Sequence, residues 1–300
     1  LGTSLQDRGF EVELDSLNNI YVAGETRASL DGNTHAGNDD PILVKYDQYG
    51  NKQWTKQLGT SNYDTGFGLA VDSSNSVYIT GFVAEALDNN TYFGSNDIFL
   101  AKYNSSGVKQ WTKQLGTSSN DVGYEAVADS SNNIYVTGYT YGGDLDGNTS
   151  AGSTDLFLVK YNSSGTKQWT QQLGTSSWDI VTRVTVDSSD NIYLTGYTAG
   201  GLDGNTNSGD NDTFLVKYNS SGIKQWTQQL GTSTDDFGYG VTVDSSDNIY
   251  LTGYTAGGLD WNTNSGENDI FLVKYNSSGV KQWTQQLGTS TDDFGYGVTV

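Results

Sequence analysis

Apolar and polar positions between residues 184 and 236 fall into four short runs separated by turn formers. Val184-Thr-Val186-Asp187 alternates apolar and polar, the mark of a strand with one buried face, here strand A. Ser188-Ser-Asp-Asn191 follows, side chains that bond their own backbone and favour a turn. Ile192-Tyr-Leu-Thr195 predicts strand B, and a long loop rich in Gly, Asp and Asn runs from Gly200 to Asp212. Phe214-Leu-Val-Lys-Tyr218 predicts strand C. Asn219-Ser-Ser-Gly222 predicts a tight turn with glycine in the left-handed position, and Lys224-Gln-Trp-Thr-Gln228 predicts strand D. Leu230-Gly-Thr-Ser then leads through Asp236 into the next strand A.

The same pattern recurs from end to end. Trp54, Trp111, Trp169, Trp226 and Trp283 mark one position in five copies, 57 or 58 residues apart. Leu1, Leu58, Leu115, Leu173, Leu230 and Leu287 each open a Leu-Gly-Thr-Ser. A fixed period of this length means a repeat architecture. Short turns between strands make them antiparallel neighbours. Strands B and C are apolar on both faces, as Ile192, Tyr193 and Leu194 illustrate, so both faces of each sheet must be covered. A two-layer sandwich would leave one face polar. A parallel β-helix has shorter rungs and no hairpins. Four-stranded units stacked side by side satisfy the pattern, which predicts an all-β fold, a β-propeller of four-stranded antiparallel blades.

The copies place the blades at about 9–58, 66–115, 123–173, 181–230 and 238–287, with a partial sixth at 288–300 that contributes one more strand A. No linker or shift in composition divides them, so 1–300 is expected to be a single array. The sequence starts at Leu1, contains no methionine and stops in mid-repeat, so it reads as an excerpt of a larger array.

Two segments carry a resemblance. Asp155-Leu-Phe-Leu-Val-Lys-Tyr-Asn-Ser-Ser-Gly165 and Val186-Asp-Ser-Ser-Asp-Asn-Ile-Tyr-Leu-Thr-Gly196 resemble the D-x-F-x-x-K-x-x-x-x-G and V-D-x-x-x-N-x-Y-x-T-G segments of the SBBP repeat family. The resemblance covers the whole chain. It implies β-propellers of bacterial, often large and exported or surface-associated proteins, and it implies no enzymatic activity and no functional residues.

Charge narrows the partners. With 35 acidic against 15 basic residues the formal net charge is −20, which excludes a nucleic-acid partner whose phosphates want a basic surface. An acidic surface suits cations or basic partners, or serves only to keep the protein in solution. No cysteine is present, so there is no disulfide framework and no thiolate site. No apolar run approaches the ~20 residues of a membrane-spanning helix, so membrane insertion is not expected.

Candidate chemistry lies in the long loop between strands B and C, which reads D-x-N-T-x-x-G-x-x-D in every copy. Its acidic and amide positions are Asp31, Asn33 and Asp40; Asp88, Asn90 and Asp97; Asp146, Asn148 and Asp155; Asp203, Asn205 and Asp212; and Asp260, Asn262 and Asp269. Oxygen ligands at alternating positions before a glycine turn are what a loop needs to wrap Ca²⁺, although the glycine stands seventh and no bidentate Glu closes the loop. The alternative is turn chemistry, since Asp and Asn bond local backbone readily. A further aspartate precedes each strand A, namely Asp7, Asp64, Asp121, Asp179, Asp236 and Asp293, and is expected to bond backbone amides where the chain crosses between blades.

Trp178, Trp261, Tyr141, Tyr92 and Phe93 lie in or beside the long loops and depart from the consensus of the other copies. Exposed, they would stack on sugar rings; the alternative is packing against a neighbouring loop. His35 is the only histidine, which leaves no Ser-His-Asp arrangement, and near-identical repeats give any carboxylate pair near-identical environments. The sequence therefore reads as a non-enzymatic structural or adhesion-type module of an extracellular or cell-surface protein, with Ca²⁺ the candidate cofactor. Its partners would be protein or glycan surfaces, and the alternative function is a carbohydrate-binding propeller.

Overall fold

The computed structural model describes residues 2–300; Leu1, with its share of the first Leu-Gly-Thr-Ser, lies outside the described residues. Twenty strands form five four-stranded sheets. The first blade comprises β1 (Asp7–Leu14), β2 (Ile20–Thr26), β3 (Asp40–Tyr46) and β4 (Lys52–Gln57). The second comprises β5 (Thr65–Val71), β6 (Val77–Val83), β7 (Asp97–Tyr103) and β8 (Lys109–Leu115). The third comprises β9 (Asp121–Ala128), β10 (Ile134–Tyr141), β11 (Thr154–Tyr161) and β12 (Lys167–Leu173). The fourth comprises β13 (Asp179–Val186), β14 (Ile192–Thr198), β15 (Asp212–Tyr218) and β16 (Lys224–Leu230). The fifth comprises β17 (Asp236–Val243), β18 (Ile249–Thr255), β19 (Asp269–Tyr275) and β20 (Lys281–Leu287). Each sheet is an A-B-C-D meander, as predicted. The chain divides into two compact units, Leu1–Thr149 with Leu158–Thr170, and Ser150–Phe157 with Gln171–Val300.

The core lies on the middle strands. Tyr78, Ile79, Phe99 and Leu100 in one unit, and Tyr193, Leu194, Phe214 and Leu215 in the other, are buried on both faces of their sheets. That burial is why B and C carry no polar face. Strand A bulges by one residue at Phe10, Phe67, Thr182 and Tyr239, where the ladder to strand B shifts register.

The repeated polar letters are structural. Asp72 Oδ1 accepts the amides of Ser74 and Ser76, both at 2.9 Å, while its Oδ2 accepts the Tyr78 hydroxyl at 2.8 Å. Asp187 does the same with Ser189, Asn191 and Tyr193. The turn's third residue is left-handed, φ 58° at Asn75 and 60° at Asp190, a conformation Asn and Asp tolerate. Thr80 and Thr195 of strand B donate to the Phe99 and Phe214 carbonyls of strand C. So the V-D-x-x-x-N-x-Y-x-T segment closes a turn, anchors a buried tyrosine and ties B to C.

Blades are joined by an aromatic ring on a bare backbone. Trp54 Nε1 donates to the Ser105 carbonyl at 3.2 Å, and the ring lies against Gly107 of the next blade's C–D turn. Gly279 covers Trp226 in the same way, and a Cβ at either glycine would stand 2.8–2.9 Å from ring carbons. Lys45 and Lys217 reach the same turns, donating to the Ser105 and Ser277 carbonyls, and each sits over a buried tyrosine ring at 4.9 and 5.0 Å.

One predicted strand is absent. Residues 294–300, the sixth A segment, form no strand, because no strand B follows in this sequence to supply ladder partners. The segment still meets the fifth blade as the other A strands meet theirs: Asp293 donates to the Asn268 carbonyl, and Tyr296 lies 5.2 Å from Tyr239, edge on.

The packing makes a prediction. Trp226→Ala should destabilise the chain by about 3 kcal/mol in urea unfolding, through lost burial and an unfilled space over Gly279. Ile223→Ala, at a side chain that is 61% exposed, should change it by less than about 0.5 kcal/mol. Equal effects would refute the inter-blade role of the ring.

Candidate functional site

The D-x-N positions of the B–C loop close the loop on itself. The first aspartate is left-handed, with φ between 50° and 56° at Asp31, Asp88, Asp146, Asp203 and Asp260. Its carboxylate turns back onto strand D: Asp31 onto Lys52 and Thr55, both at 2.5 Å, Asp88 onto Lys109 and Thr112, and Asp260 onto Lys281 and Thr284. Asp146 and Asp203 pair with Lys167 and Lys224. Lys52 and Thr55 hold the Asp31 carboxyl below its usual range; at Asp88 burial pushes upward, but Lys109 and Thr112 outweigh it. The amide side chains of Asn33, Asn90, Asn148, Asn205 and Asn262 donate to the carbonyl three residues earlier at 2.8–2.9 Å. In the first four loops they also reach a carbonyl of strand D. Among the described residues, no group of three or more His, Cys, Asp or Glu gathers as a metal cluster.

The second aspartate of each loop points elsewhere. Asp40, Asp97, Asp155, Asp212 and Asp269 are fully buried, and Oδ2 of each accepts a backbone amide four residues earlier and the amide of a strand D glutamine. Their Oδ1 atoms have no hydrogen-bond partner. Each faces the glycine of Leu-Gly-Thr-Ser, where any Cβ on Gly59, Gly116, Gly174, Gly231 or Gly288 would collide with the carboxylate. At Gly59 and Gly116 the aspartate that opens the next strand A, Asp64 or Asp121, stands against the same glycine. Asp64, Asp121, Asp179 and Asp236 are also fully buried and accept the amide and hydroxyl of Thr60, Thr117, Thr175 and Thr232, the backbone-bonding role the sequence predicts. Thr198 and Thr255 add hydroxyl donors to Asp179 and Asp236. Burial raises all four carboxyls, and the charge of Asp40, Asp97, Asp155 or Asp212 raises them further; Asp236 is pushed up to about 6. His35 stands beside the first pair, its Nδ1 3.1 Å from Asp40 Oδ2 and 3.2 Å from Gln57 Nε2.

The loop aromatics are exposed. Tyr92 (40%), Phe93 (45%) and Tyr141 (49%) lie in the first unit. Tyr92 donates to the Ser95 carbonyl, the Ser95 hydroxyl donates to Asn120, and the Asn120 carbonyl accepts the Tyr141 amide, so one chain of contacts joins these loops. In the second unit Trp178 is 58% exposed and lines an open cleft of about 480 Å³ with Ser153, Ser176, Ser177, Ala199 and Asn211. Its backbone is pinned by a parallel bridge to Thr154 and a bond from the Ala199 amide. Trp261 is fully exposed at φ 69°, a left-handed position where three other loops carry glycine.

Sequence reasoning missed two further aromatic features. Tyr63, 56% exposed, occupies the register of Trp178 and makes the corresponding bridge to Asp39; aligning the copies would have found it. Phe10, Phe67 and Tyr124 stand on the A strands of three successive blades with centroids 5.0 and 5.2 Å apart, brought together by bulges that no sequence signal marks.

The β-propeller repeat family SBBP matches residues 53–81, 110–146, 168–203 and 225–260. The chain carries SBBP β-propeller repeats. Each matched segment begins in strand D of one blade and ends in strand B or the B–C loop of the next, so an SBBP repeat is out of phase with the blade and contains the junction aspartate. Relatives that share sequence with these repeats are an uncharacterized WD repeat-containing protein of Acanthamoeba polyphaga mimivirus (25% identity, 99% of this chain) and the regulatory protein FlaEY of Caulobacter vibrioides (28%, 57% of this chain). The chain spans 30% and 20% of their lengths. Among solved structures, the β-propeller domain of the Trilobed protease from Pyrococcus furiosus has a TM-score of 0.51 at 6% identity, over 94% of this chain and 70% of that one.

The expectation that the protein is no enzyme is corrected. Similar solved structures include a gluconolactonase from Xanthomonas campestris (8% identity, TM-score 0.45, 99% of this chain and 91% of that one). They also include an ulvan lyase, a polysaccharide lyase (14%, 0.48, 92% and 72%). The propeller fold by itself decides neither for nor against catalysis.

The junctions make a pH prediction. Asp236 has a folded pKa of about 6 against an ordinary 3.8, so the folded state binds more protons than the unfolded state between those values. In metal-free buffer the melting midpoint should therefore rise as pH falls from 7 to 5. Carboxyls held low, such as Asp244 at about 2, remove stability only in stronger acid. Asp236→Asn should raise the pH 7 midpoint and flatten the dependence. A midpoint that falls steadily from pH 7 to 5 would refute the buried pairing.

Proposed function

We propose that the chain is an adhesion-type repeat module of an exported or cell-surface protein, binding carbohydrate through aromatics on its B–C and D–A loops. The observation that carries this reading is the Trp178 cleft: an exposed indole on a fixed backbone, ringed by three serines and an asparagine. An apolar face beside hydroxyl and amide groups matches a sugar ring, which offers C–H bonds on one face and hydroxyls around its edge. Tyr63 at the equivalent register and Trp261 at a loop tip support the same use of the repeat, with several weak sites acting together. Trp261 in a left-handed conformation costs backbone energy that no packing of the ring repays within the chain, which suits a contact made to a partner. Serine, threonine and asparagine at the junctions then serve the scaffold, and the departures from the repeat serve the ligand.

The test is binding of the whole chain to a glycan array, followed by isothermal titration with the best ligand. Trp178→Ala should weaken binding at least about tenfold, the loss of one stacked ring, and leave the melting midpoint within about 2 °C because the ring is exposed. Trp261→Ala should weaken avidity on the array surface. An array with no saturable ligand, or binding indifferent to both substitutions, would overturn the reading.

A further inference from the structure

The blade junctions bury more negative charge than their surroundings neutralise. Asp97 with Asp121, Asp155 with Asp179 and Asp212 with Asp236 are fully buried, as is Asp40 with Asp64; Gly59 and Gly116 lie against both carboxylates of their pair, and Gly174 and Gly231 against the loop aspartate of theirs. The donors to the first three pairs are neutral throughout: threonine hydroxyls, backbone amides and a glutamine amide. No Lys, Arg or His among the described residues forms an ion pair with any of those six aspartates. Oδ1 of Asp97, Asp155 and Asp212 is buried, unpartnered and set against the junction glycine; at Gly116 a Cβ would stand 2.3 Å from Asp97 Oδ1 and 3.2 Å from Asp121 Oδ2, between the two carboxylates. At Asp40, the remaining junction of this kind, the imidazole of His35 stands 3.1 Å from the carboxylate, so that pair alone has a basic group at hand.

We propose that each of these three junctions is a Ca²⁺ site, with Oδ1 of the loop aspartate and the carboxylate of the strand A aspartate as ligands. A buried charge persists when it is paired or coordinates a metal. Two carboxylates match the charge of a divalent cation, and an all-oxygen donor set in an irregular setting suits Ca²⁺ better than Mg²⁺, which demands near-ideal octahedral geometry. The site is distinct from a B–C loop site, whose first aspartate is committed to lysine and threonine. Bound Ca²⁺ would clamp strand C of one blade to strand A of the next. With two protein side chains per ion, affinity should fall on the order of 10⁻⁴–10⁻³ M, the range of extracellular modules.

The test is calorimetric titration of the whole, EDTA-stripped chain with CaCl₂ at pH 7.4, with MgCl₂ and NaCl at matched ionic strength as controls. Three equivalents of Ca²⁺, one for each of the three proposed junctions, are expected, together with a melting midpoint several degrees higher in saturating Ca²⁺. Asp236→Asn should remove one equivalent, as should Asp212→Asn if the first variant does not fold. Asp203→Asn, in the loop but outside the pair, should remove none. Absence of saturable Ca²⁺ binding would overturn the proposal. Loss of an equivalent in Asp203→Asn but not in Asp236→Asn would overturn it in favour of the loop. Neither readout involves the Trp178 cleft, so the two proposals stand or fall separately.

Discussion

Asp64, Asp121, Asp179 and Asp236 each sit where the chain leaves an outer strand D and enters the next strand A, and each draws the Thr of Leu-Gly-Thr-Ser back onto itself. A carboxylate removed from water must find donors nearby, and here a backbone amide and a hydroxyl four residues earlier supply them. That bond closes the crossing at which one blade hands the chain to the next. The glycine beside it lets the loop aspartate of the preceding blade come into contact, which no residue with a Cβ would allow. The tryptophan-on-glycine contact and the lysine bonds to the C–D turn then hold strands already placed by this crossing.

The SBBP repeat runs from strand D of one blade into strand B of the next, and that is the span over which the junction is built. A blade alone would leave both faces of B and C uncovered. The unit that recurs is the link between blades rather than the blade itself, which is how a repeat array gains stability from neighbours.

This division of labour bears on function. Almost every residue that recurs in all five copies closes a turn, feeds a buried carboxylate or covers a ring. Residues free of those duties are the ones that differ between copies: Tyr63, Tyr92, Phe93, Tyr141, Trp178 and Trp261, all substantially exposed. A rigid repeated scaffold leaves its loops free to vary, and variation there changes the ligand without changing the fold.

The sequence by itself determined the blade. The alternation in strand A, the two-faced apolar runs of B and C and the Asn-Ser-Ser-Gly turns are local signals, and local signals dictate strands, turns and antiparallel order. The bonding of the junction aspartate to its own turn was legible for the same reason, since its partner lies four residues away. Only the tertiary structure decided what depends on residues far apart in sequence. It turned the first loop aspartate onto Lys52 or Lys109, twenty-one residues on, and set the second against the carboxylate of the next blade, so that D-x-N-T-x-x-G-x-x-D became two separate arrangements rather than one loop ligand set. It aligned Phe10, Phe67 and Tyr124 through bulges and left residues 294–300 without a ladder. A period of 57 residues shows that blades repeat; which side chains meet across the repeat depends on the twist and bulge of the strands, and those are fixed only when neighbouring blades pack.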